Sequence, residues 1–113
     1  MQSLPAGAAD AIAAIVGAKG VVAETEWDAF NIEWRKRWRG APSMIVAPPG
    51  VEETAALVRL CADKRIAITP QGGNTGLVGG QIAMNGEVIV SMRRMRRVRD
   101  VFPLDNTLVA DAG

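Results

Sequence analysis

Five glycines lie within the eleven residues Pro70–Gly80, and this stretch offers the clearest chemistry in the sequence. It reads Pro-Gln-Gly-Gly-Asn-Thr-Gly-Leu-Val-Gly-Gly and follows a short apolar run, Ile66–Thr69. Because glycine costs a folded chain conformational entropy, this density indicates positive φ angles or a ligand lying close to the main chain. A loop without β-carbons can turn several N–H groups towards one point, which suits an anion such as a phosphate.

Two better-known phosphate-binding loops do not fit this stretch. The Walker pattern requires Gly-Lys-Ser/Thr at its end, and no lysine follows any of these glycines. The dinucleotide fingerprint G-x-G-x-x-G requires a closely spaced first pair, whereas Gly73, Gly76 and Gly79 are three residues apart. The stretch is therefore a third kind of loop, which we call the glycine loop.

Two side chains of the glycine loop could add hydrogen bonds to those of its main chain. Asparagine tolerates the left-handed region, and both Asn74 and Thr75 can bond either the loop backbone or a phosphate oxygen. Composition alone leaves two alternatives open, a ligand cradle and a mobile connection. As a cradle, the predicted cofactor-binding residues are Pro70, Gln71, Gly72, Gly73, Asn74, Thr75, Gly76, Gly79 and Gly80.

Composition excludes several other kinds of site. The chain has no histidine and no tyrosine, which removes Ser/His/Asp and Cys/His catalysis and most zinc sites. The one cysteine, Cys61, falls on a predicted helix, where we interpret it as a buried, inert thiol compatible with a reducing cytosol. The sequence has no apolar run of membrane-spanning length, and its first twenty residues do not resemble a signal peptide. We therefore expect a soluble, cytoplasmic protein.

The N-terminal part is predicted to be helical. Leu4–Ala18 has the pattern of a short amphipathic helix, with Ser3 as its candidate N-cap. Glu24–Arg39 also has helix-like composition, with aromatic residues three or four positions apart. Such a stripe usually packs on a core, with ligand stacking as the alternative. Its members are Trp27, Phe30, Trp34 and Trp38.

The glycine loop must be positioned by the elements before it. Met44–Ala47 is predicted to be a buried strand, Val51–Lys64 a helix and Ala67–Thr69 a second strand. Two strands joined by a helix predict a parallel βαβ unit, whose loops bind ligands at the carboxyl ends of the strands. The helix is predicted to face the core through Val51, Ala55, Val58 and Ala62, with Leu57 and Cys61 beside them.

Three further strands are predicted after the loop. Glu87–Ser91 follows an Asn-Gly turn, and Val98–Phe102 is predicted to pair antiparallel with Thr107–Ala110. The fold class is therefore α/β with an α+β character: helices, a parallel unit carrying the glycine loop, and a separate hairpin. We divide the chain into a helical segment, residues 1–40, and a second part, residues 41–113.

The glycine loop resembles the pyrophosphate-binding loop of FAD-linked oxidases of the vanillyl-alcohol oxidase and p-cresol methylhydroxylase superfamily. Within it, the chain is most similar to the D-2-hydroxyacid dehydrogenases. Other segments share the resemblance in the same order. They are Asn31-Ile32-Glu33-Trp34, Trp38-Arg39-Gly40, Val46-Ala47-Pro48 with Glu52-Glu53, and Ile89-Val90-Ser91-Met92-Arg93-Arg94-Met95.

The resemblance implies FAD as cofactor and oxidation of a D-2-hydroxy acid to the 2-oxo acid, with hydride passing to the flavin. Residues 41–113 would be the N-terminal part of a PCMH-type FAD-binding domain in a longer protein, inactive by themselves. A separate electron acceptor would reoxidise the flavin, and a homodimer is left open. The resemblance assigns no catalytic base and no metal ligand to these residues.

Five arginines between residues 93 and 99 support a rival hypothesis, a small nucleic-acid-binding module. The net charge of only +1 and the absence of a stacking aromatic in the cluster argue against it. A solvated or interdomain face is one alternative, and a contact with a flavin phosphate or a partner is another. The five are Arg93, Arg94, Arg96, Arg97 and Arg99.

Overall fold

Three parallel strands form the sheet that carries the glycine loop. The computed structural model describes residues 1–113, with β1 at Met44–Val46, β2 at Ile68–Gln71 and β3 at Val88–Ser91. The predicted parallel direction is confirmed, but β1 and β2 are not neighbours, because β3 lies between them and pairs with both. Strand β3 is buried along its whole length, and such a strand belongs in the centre of a sheet covered on both faces.

The first helix, α1, spans Ala8–Val16 and packs on the sheet. Its core face is Ala8, Ile12 and Val16, spaced four residues apart as one face of a helix requires. The prediction of Ser3 as the N-cap was wrong, since the helix begins after Gly7, whose φ is 73°. This helix shares one core with β1 and β3, so residues 1–40 and 41–113 pack together.

The helix α3 spans Val51–Asp63, close to its predicted bounds, but its predicted core face was wrong. Val51 and Val58 are 58% and 42% exposed, whereas Leu57 and Cys61 are 0% and 2% exposed. The side that carries Leu57 and Cys61 packs against α1. The predicted face contains no residue larger than valine, so exposing it costs less than exposing leucine would.

Most of the predicted helix between Glu24 and Arg39 is absent. A single 3₁₀ turn covers Glu24–Glu26, and the helix α2 covers only Asp28–Asn31. The chain then doubles back, with Lys36 in the left-handed region at φ 58° and an antiparallel bridge between Ile32 and Arg39. We call residues 33–39 the basic turn.

The prediction that the aromatic stripe packs on the core holds for only half of it. Phe30 is 6% exposed and packs with Ile45 and Ile89, and Trp27 packs against the same cluster. Trp34 and Trp38 lie in the basic turn and are 71% and 38% exposed. Because the chain is not helical there, their spacing of four residues does not place them on the face that Phe30 uses.

The predicted hairpin is confirmed. Strand β4, Val98–Phe102, pairs antiparallel with β5, Thr107–Ala110, as a separate two-stranded sheet. A 3₁₀ turn at Pro103–Asp105 and Asn106 at φ 50° connect them. Every residue of both strands is exposed.

The structure also bears on two interpretations drawn from composition. Cys61 is buried, and this burial raises the pKa of its thiol, which keeps it protonated and unreactive at neutral pH. None of the helices combines the length and the apolar character needed to cross a membrane.

We expect Leu57→Ala to lower the free energy of unfolding by about 2–5 kcal/mol, because it removes a fully buried side chain between α1 and α3. Val58→Ala is the matched control and should change it by about 0.5 kcal/mol or less. Urea denaturation followed by circular dichroism would measure both. Equal losses would mean that the buried face of α3 has been misassigned.

Candidate functional site

The first two residues of the glycine loop, Pro70 and Gln71, are the last two of β2, and the rest of the loop leaves the carboxyl end of that strand, as the sequence predicts. Gln71, the last residue of β2, is paired in register with Ser91, the last residue of β3. The N–H of Met92 donates to the carbonyl oxygen of Gln71 at 2.8 Å, so the two chains leave the sheet side by side. This is the edge at which open α/β sheets bind ligands.

The main-chain N–H groups of the glycine loop have no acceptor within the chain. From Gly72 to Gln81, ten consecutive residues, no N–H donates a hydrogen bond to any protein atom. Most of these residues are exposed, so the N–H groups remain free for water or a ligand. A run of unpaired N–H groups can bind an anion without any lysine.

Two glycines of the loop are not required by the chain itself. A β-carbon built on Gly80 would meet nothing within 4 Å, and one on Gly73 would meet only the methyl group of Thr75 at 3.9 Å. Neither residue has a positive φ. Since neither backbone conformation nor neighbouring atoms demand glycine here, the open space fits a ligand lying against the main chain.

At the other three glycines of the loop, a β-carbon would come close to other atoms of the protein. Gly79 has a φ of 79°, and a β-carbon there would lie 3.2 Å from the ring of Trp38. A β-carbon on Gly76 would lie 2.7 Å from Oε1 of Gln81. On Gly72 it would lie 3.1 Å from the carbonyl oxygen of Ala112.

Asn74 anchors the loop to the segment that contains α2. It takes the left-handed conformation at φ 54°, as its residue type allows. Its Nδ2 donates to the carbonyl oxygens of Ala29 at 3.1 Å and Ile32 at 2.9 Å. The side chain thus bonds main-chain atoms, while Thr75 is exposed on the loop.

The side chains of Gln71 and Gln81 hold the loop by hydrogen bonds to main-chain and side-chain atoms. Gln81 was not among the residues predicted from the sequence. The buried Gln71 donates from Nε2 to the carbonyl oxygens of Phe30 at 2.8 Å and Gln81 at 3.0 Å. Gln81 in turn donates from Nε2 to Oδ1 of Asn74 at 3.1 Å and to the carbonyl oxygen of Gly76 at 2.9 Å. Gln81 lies one residue beyond the glycine run, and nothing in the sequence distinguishes it from a surface glutamine.

The basic turn stands beside the glycine loop and is shaped by one buried carboxylate. Glu33 is 1% exposed and accepts hydrogen bonds from the backbone N–H of Arg35 at 2.8 Å and of Arg37 at 2.5 Å. Burial by itself would raise the pKa of Glu33, but these two hydrogen bonds and the positive charges of Arg35 and Arg37 together outweigh it and lower the pKa below its ordinary value of 4.5. The carboxylate therefore stays ionised and holds the turn.

A cleft of about 470 Å³ separates the basic turn from the glycine loop. Gly73 and Asn74 line one side, and Trp34 and Lys36 line the other. The open space at Gly73 is thus continuous with a cavity large enough for part of an organic cofactor.

Members of the arginine cluster contact different parts of the same chain. The guanidinium of Arg93 lies 4.7 Å from the ring centroid of Phe30, and Nη1 of Arg94 donates to the carbonyl oxygen of Ala47 at 3.1 Å. Both contacts fix the side chains at the same sheet edge as the glycine loop.

Two other arginines of the cluster bind one carboxylate. The backbone N–H of Arg97 donates to Asp111 at 3.0 Å, and Nε of Arg99 donates to it at 2.6 Å. These two hydrogen bonds lower the pKa of Asp111. Nε of Arg97 also lies 3.5 Å from this carboxylate, so four of the five arginines have a side-chain contact within the chain, while all five residues remain exposed.

A family model described as "FAD binding domain" matches residues 42–113. The chain belongs to the FAD-binding domain family. FAD is therefore the cofactor of this domain, and its diphosphate is an anion of the kind that the unpaired N–H groups suit. Nothing in the comparisons supports the nucleic-acid alternative.

Relatives of this FAD-binding domain include named dehydrogenases. The chain is 38% identical over 91 residues to the D-2-hydroxyglutarate–pyruvate transhydrogenase of Saccharomyces cerevisiae, a match covering 80% of this chain and 18% of that protein. It is 41% identical over 84 residues to the D-2-hydroxyglutarate dehydrogenase of Xanthomonas citri pv. viticola, covering 74% and 18%. The chain thus spans about 18% of the length of these relatives.

Solved structures share the fold of this FAD-binding domain. An alkyldihydroxyacetonephosphate synthase superposes with a TM-score of 0.74 at 23% identity, covering 94% of this chain and 24% of that one. A p-cresol methylhydroxylase superposes with a TM-score of 0.65 at 21% identity, covering 88% and 21%. These likenesses confirm the expected PCMH-type fold.

We expect the stability that Glu33 contributes to disappear in acid. Because its folded pKa lies below 4.5, the contribution is complete above that value and is lost as the pH falls through the folded pKa. Glu33→Gln should therefore be less stable than wild type at neutral pH, and the difference should vanish well below 4.5. Urea midpoints measured across this range would show it.

Glu26→Gln is the matched control, because the Glu26 side chain is exposed and makes no ion pair. Its urea midpoint should follow that of wild type at every pH. Parallel curves for Glu33→Gln and wild type would contradict the role assigned to the buried carboxylate.

Proposed function

We propose that the protein carrying this chain is an FAD-dependent dehydrogenase that oxidises a D-2-hydroxy acid, of the D-2-hydroxyglutarate or D-lactate type, to the 2-oxo acid. The membership of the FAD-binding domain family and the names of several relatives support the reaction class. The observation that carries the site is the run of unpaired N–H groups from Gly72 to Gln81, next to open space at Gly73 and Gly80.

In this proposal the glycine loop binds the diphosphate of FAD. Main-chain N–H groups from Gly72 to Gly76 donate to its oxygens, and the exposed hydroxyl of Thr75 adds a further donor. Gln71, also expected to donate there, is the last residue of β2, and its side chain holds the loop instead. Pro70 fixes the start of the loop, and Gly79 with Gly80 lets the main chain close over the cofactor. Asn74 acts mainly by holding the loop on the main chain of Ala29 and Ile32.

The bound flavin would supply the redox step, accepting hydride from C2 of the hydroxy acid. The residues of this chain bind and orient, and none of them is assigned as a catalytic base. The basic turn, the loop and the α2 segment line the open cleft in which part of the cofactor would lie. The identity of the hydroxy acid and of the electron acceptor depends on residues beyond this site.

Three further expectations from the sequence remain proposals. Residues 41–113 form the N-terminal part of the FAD-binding domain, which the match over residues 42–113 supports. A cytoplasmic location also stays a prediction, and some relatives, such as the D-2-hydroxyglutarate dehydrogenase of Arabidopsis thaliana, are named mitochondrial. Association as a homodimer is left open.

We expect Gly73→Val to abolish FAD binding while preserving the fold, because the new side chain would fill the open space beside the loop. Gly73→Ala should cause an intermediate loss. The measurement is the ratio of flavin to protein after gel filtration, together with the thermal midpoint of the apoprotein, in the natural protein that carries this sequence.

Ala14→Val provides the control, since it adds similar bulk at an exposed position of α1, away from the loop. It should keep the full complement of flavin. Full flavin loading in Gly73→Val would show that the cofactor does not lie against this part of the main chain, and the proposed site would have to be abandoned.

A further inference from the structure

Gln81 links Asn74 and Gly76, in the middle of the glycine loop, to Gln71 at the end of β2. No main-chain hydrogen bond makes this link. Nε2 of Gln81 reaches Oδ1 of Asn74 at 3.1 Å and the carbonyl oxygen of Gly76 at 2.9 Å, and the residue's own carbonyl oxygen accepts from Gln71 at 3.0 Å. One residue therefore connects the middle of the loop to the end of β2. Gln81 itself is half-buried.

The loop needs such a connection because its backbone is otherwise poorly constrained. Ten consecutive N–H groups without acceptors leave the chain free to sample many conformations, and a ligand that orders it must offset that lost entropy. A side chain that holds the loop before the ligand arrives reduces this cost.

Gly76 leaves room for the Gln81 side chain to lie against the loop. A β-carbon at position 76 would lie 2.7 Å from Oε1 and 3.1 Å from Cδ of Gln81, so a larger residue would push the end of this flexible side chain away from its partners. Gly73, by contrast, stays open towards the cleft.

We propose that Gln81 is a positioning residue for the cofactor: its amide preorganises the glycine loop through Asn74 and Gly76, so that the free N–H groups meet the FAD diphosphate. This inference rests on the proposed function and adds a residue outside the predicted binding set. Gln81 does not touch the diphosphate in this scheme and acts through the loop backbone. Its removal weakens FAD binding without unfolding the domain.

The chain offers a matched control in Gln2. Its Nε2 donates to the carbonyl oxygen of Gly86 at 3.1 Å, and its Oε1 accepts from the N–H of Ala67 at 2.8 Å. Ala67 and Gly86 precede β2 and β3, so they lie at the amino-terminal end of these parallel strands, whereas the glycine loop lies at the carboxyl end. Gln2 thus makes the same kind of amide contacts with the main chain, but far from the cofactor site.

The experiment measures the dissociation constant of FAD, by quenching of flavin fluorescence on titration into apoprotein, and the thermal midpoint of the apoprotein. It compares Gln81→Ala, Gln81→Met and Gln2→Ala in the natural protein that carries this sequence. Gln81→Met keeps a side chain of similar length, stays uncharged and removes the amide that donates to Asn74 and Gly76. Both changes at Gln81 should raise the dissociation constant about tenfold, with apoprotein midpoints no lower than that of Gln2→Ala.

Gln2→Ala should leave the dissociation constant unchanged. The inference is overturned if both Gln81 variants bind FAD within about twofold of wild type while Gly73→Val still loses it, and the proposed function then stands. Loss of affinity in Gln2→Ala to the same extent would also overturn it, by revealing general destabilisation. If Gly73→Val and the Gln81 variants all bind normally, the glycine loop is not the cofactor site.

Discussion

The site depends on a main chain that keeps its hydrogen-bond donors unpaired. Buried N–H groups almost always find partners within a protein, so a run without them survives only where water or a ligand can reach it. The glycine loop meets this condition by lying at the exposed edge of the sheet, after β2. Side-chain amides, those of Asn74 and Gln81, supply the order that main-chain pairing would otherwise provide.

The rest of the fold makes that edge rigid. Strand β3 is buried throughout and pairs on both sides, which fixes the ends of β2 and β3 side by side. Helix α1 covers the sheet through Ile12 and Val16, in one core with Leu57 of α3. On the other side, the short helix α2 contributes Phe30 to a second cluster, and its main chain accepts hydrogen bonds from Gln71 and Asn74. The loop is therefore attached to elements whose own positions are set by packing.

Sequence patterns predicted the elements whose structure depends on local residue types. They failed for the features that contacts between distant residues determine. The glycine loop, the hairpin β4–β5 and the bounds of α3 follow from residue types that constrain the backbone or alternate regularly. The order of the strands does not follow from such residue types, because the position of β3 between β1 and β2 is a property of the assembled sheet. The helix expected over Glu24–Arg39 is reduced to Asp28–Asn31, and in the basic turn beyond it the Glu33 carboxylate accepts two main-chain hydrogen bonds. The role of Gln81 could not be predicted from the sequence, because its partners, Oδ1 of Asn74 and the carbonyl oxygen of Gly76, come near it only in the folded loop.

The hairpin has a practical consequence for handling these residues by themselves. Its two strands have free outer edges, and Val101, Phe102 and Leu108 are 58%, 45% and 57% exposed. An uncovered strand edge with apolar side chains is a template on which other chains can add strands. Concentrated preparations of the 113 residues will therefore tend to aggregate through this hairpin, and lysine substitutions along β4 would improve their solubility.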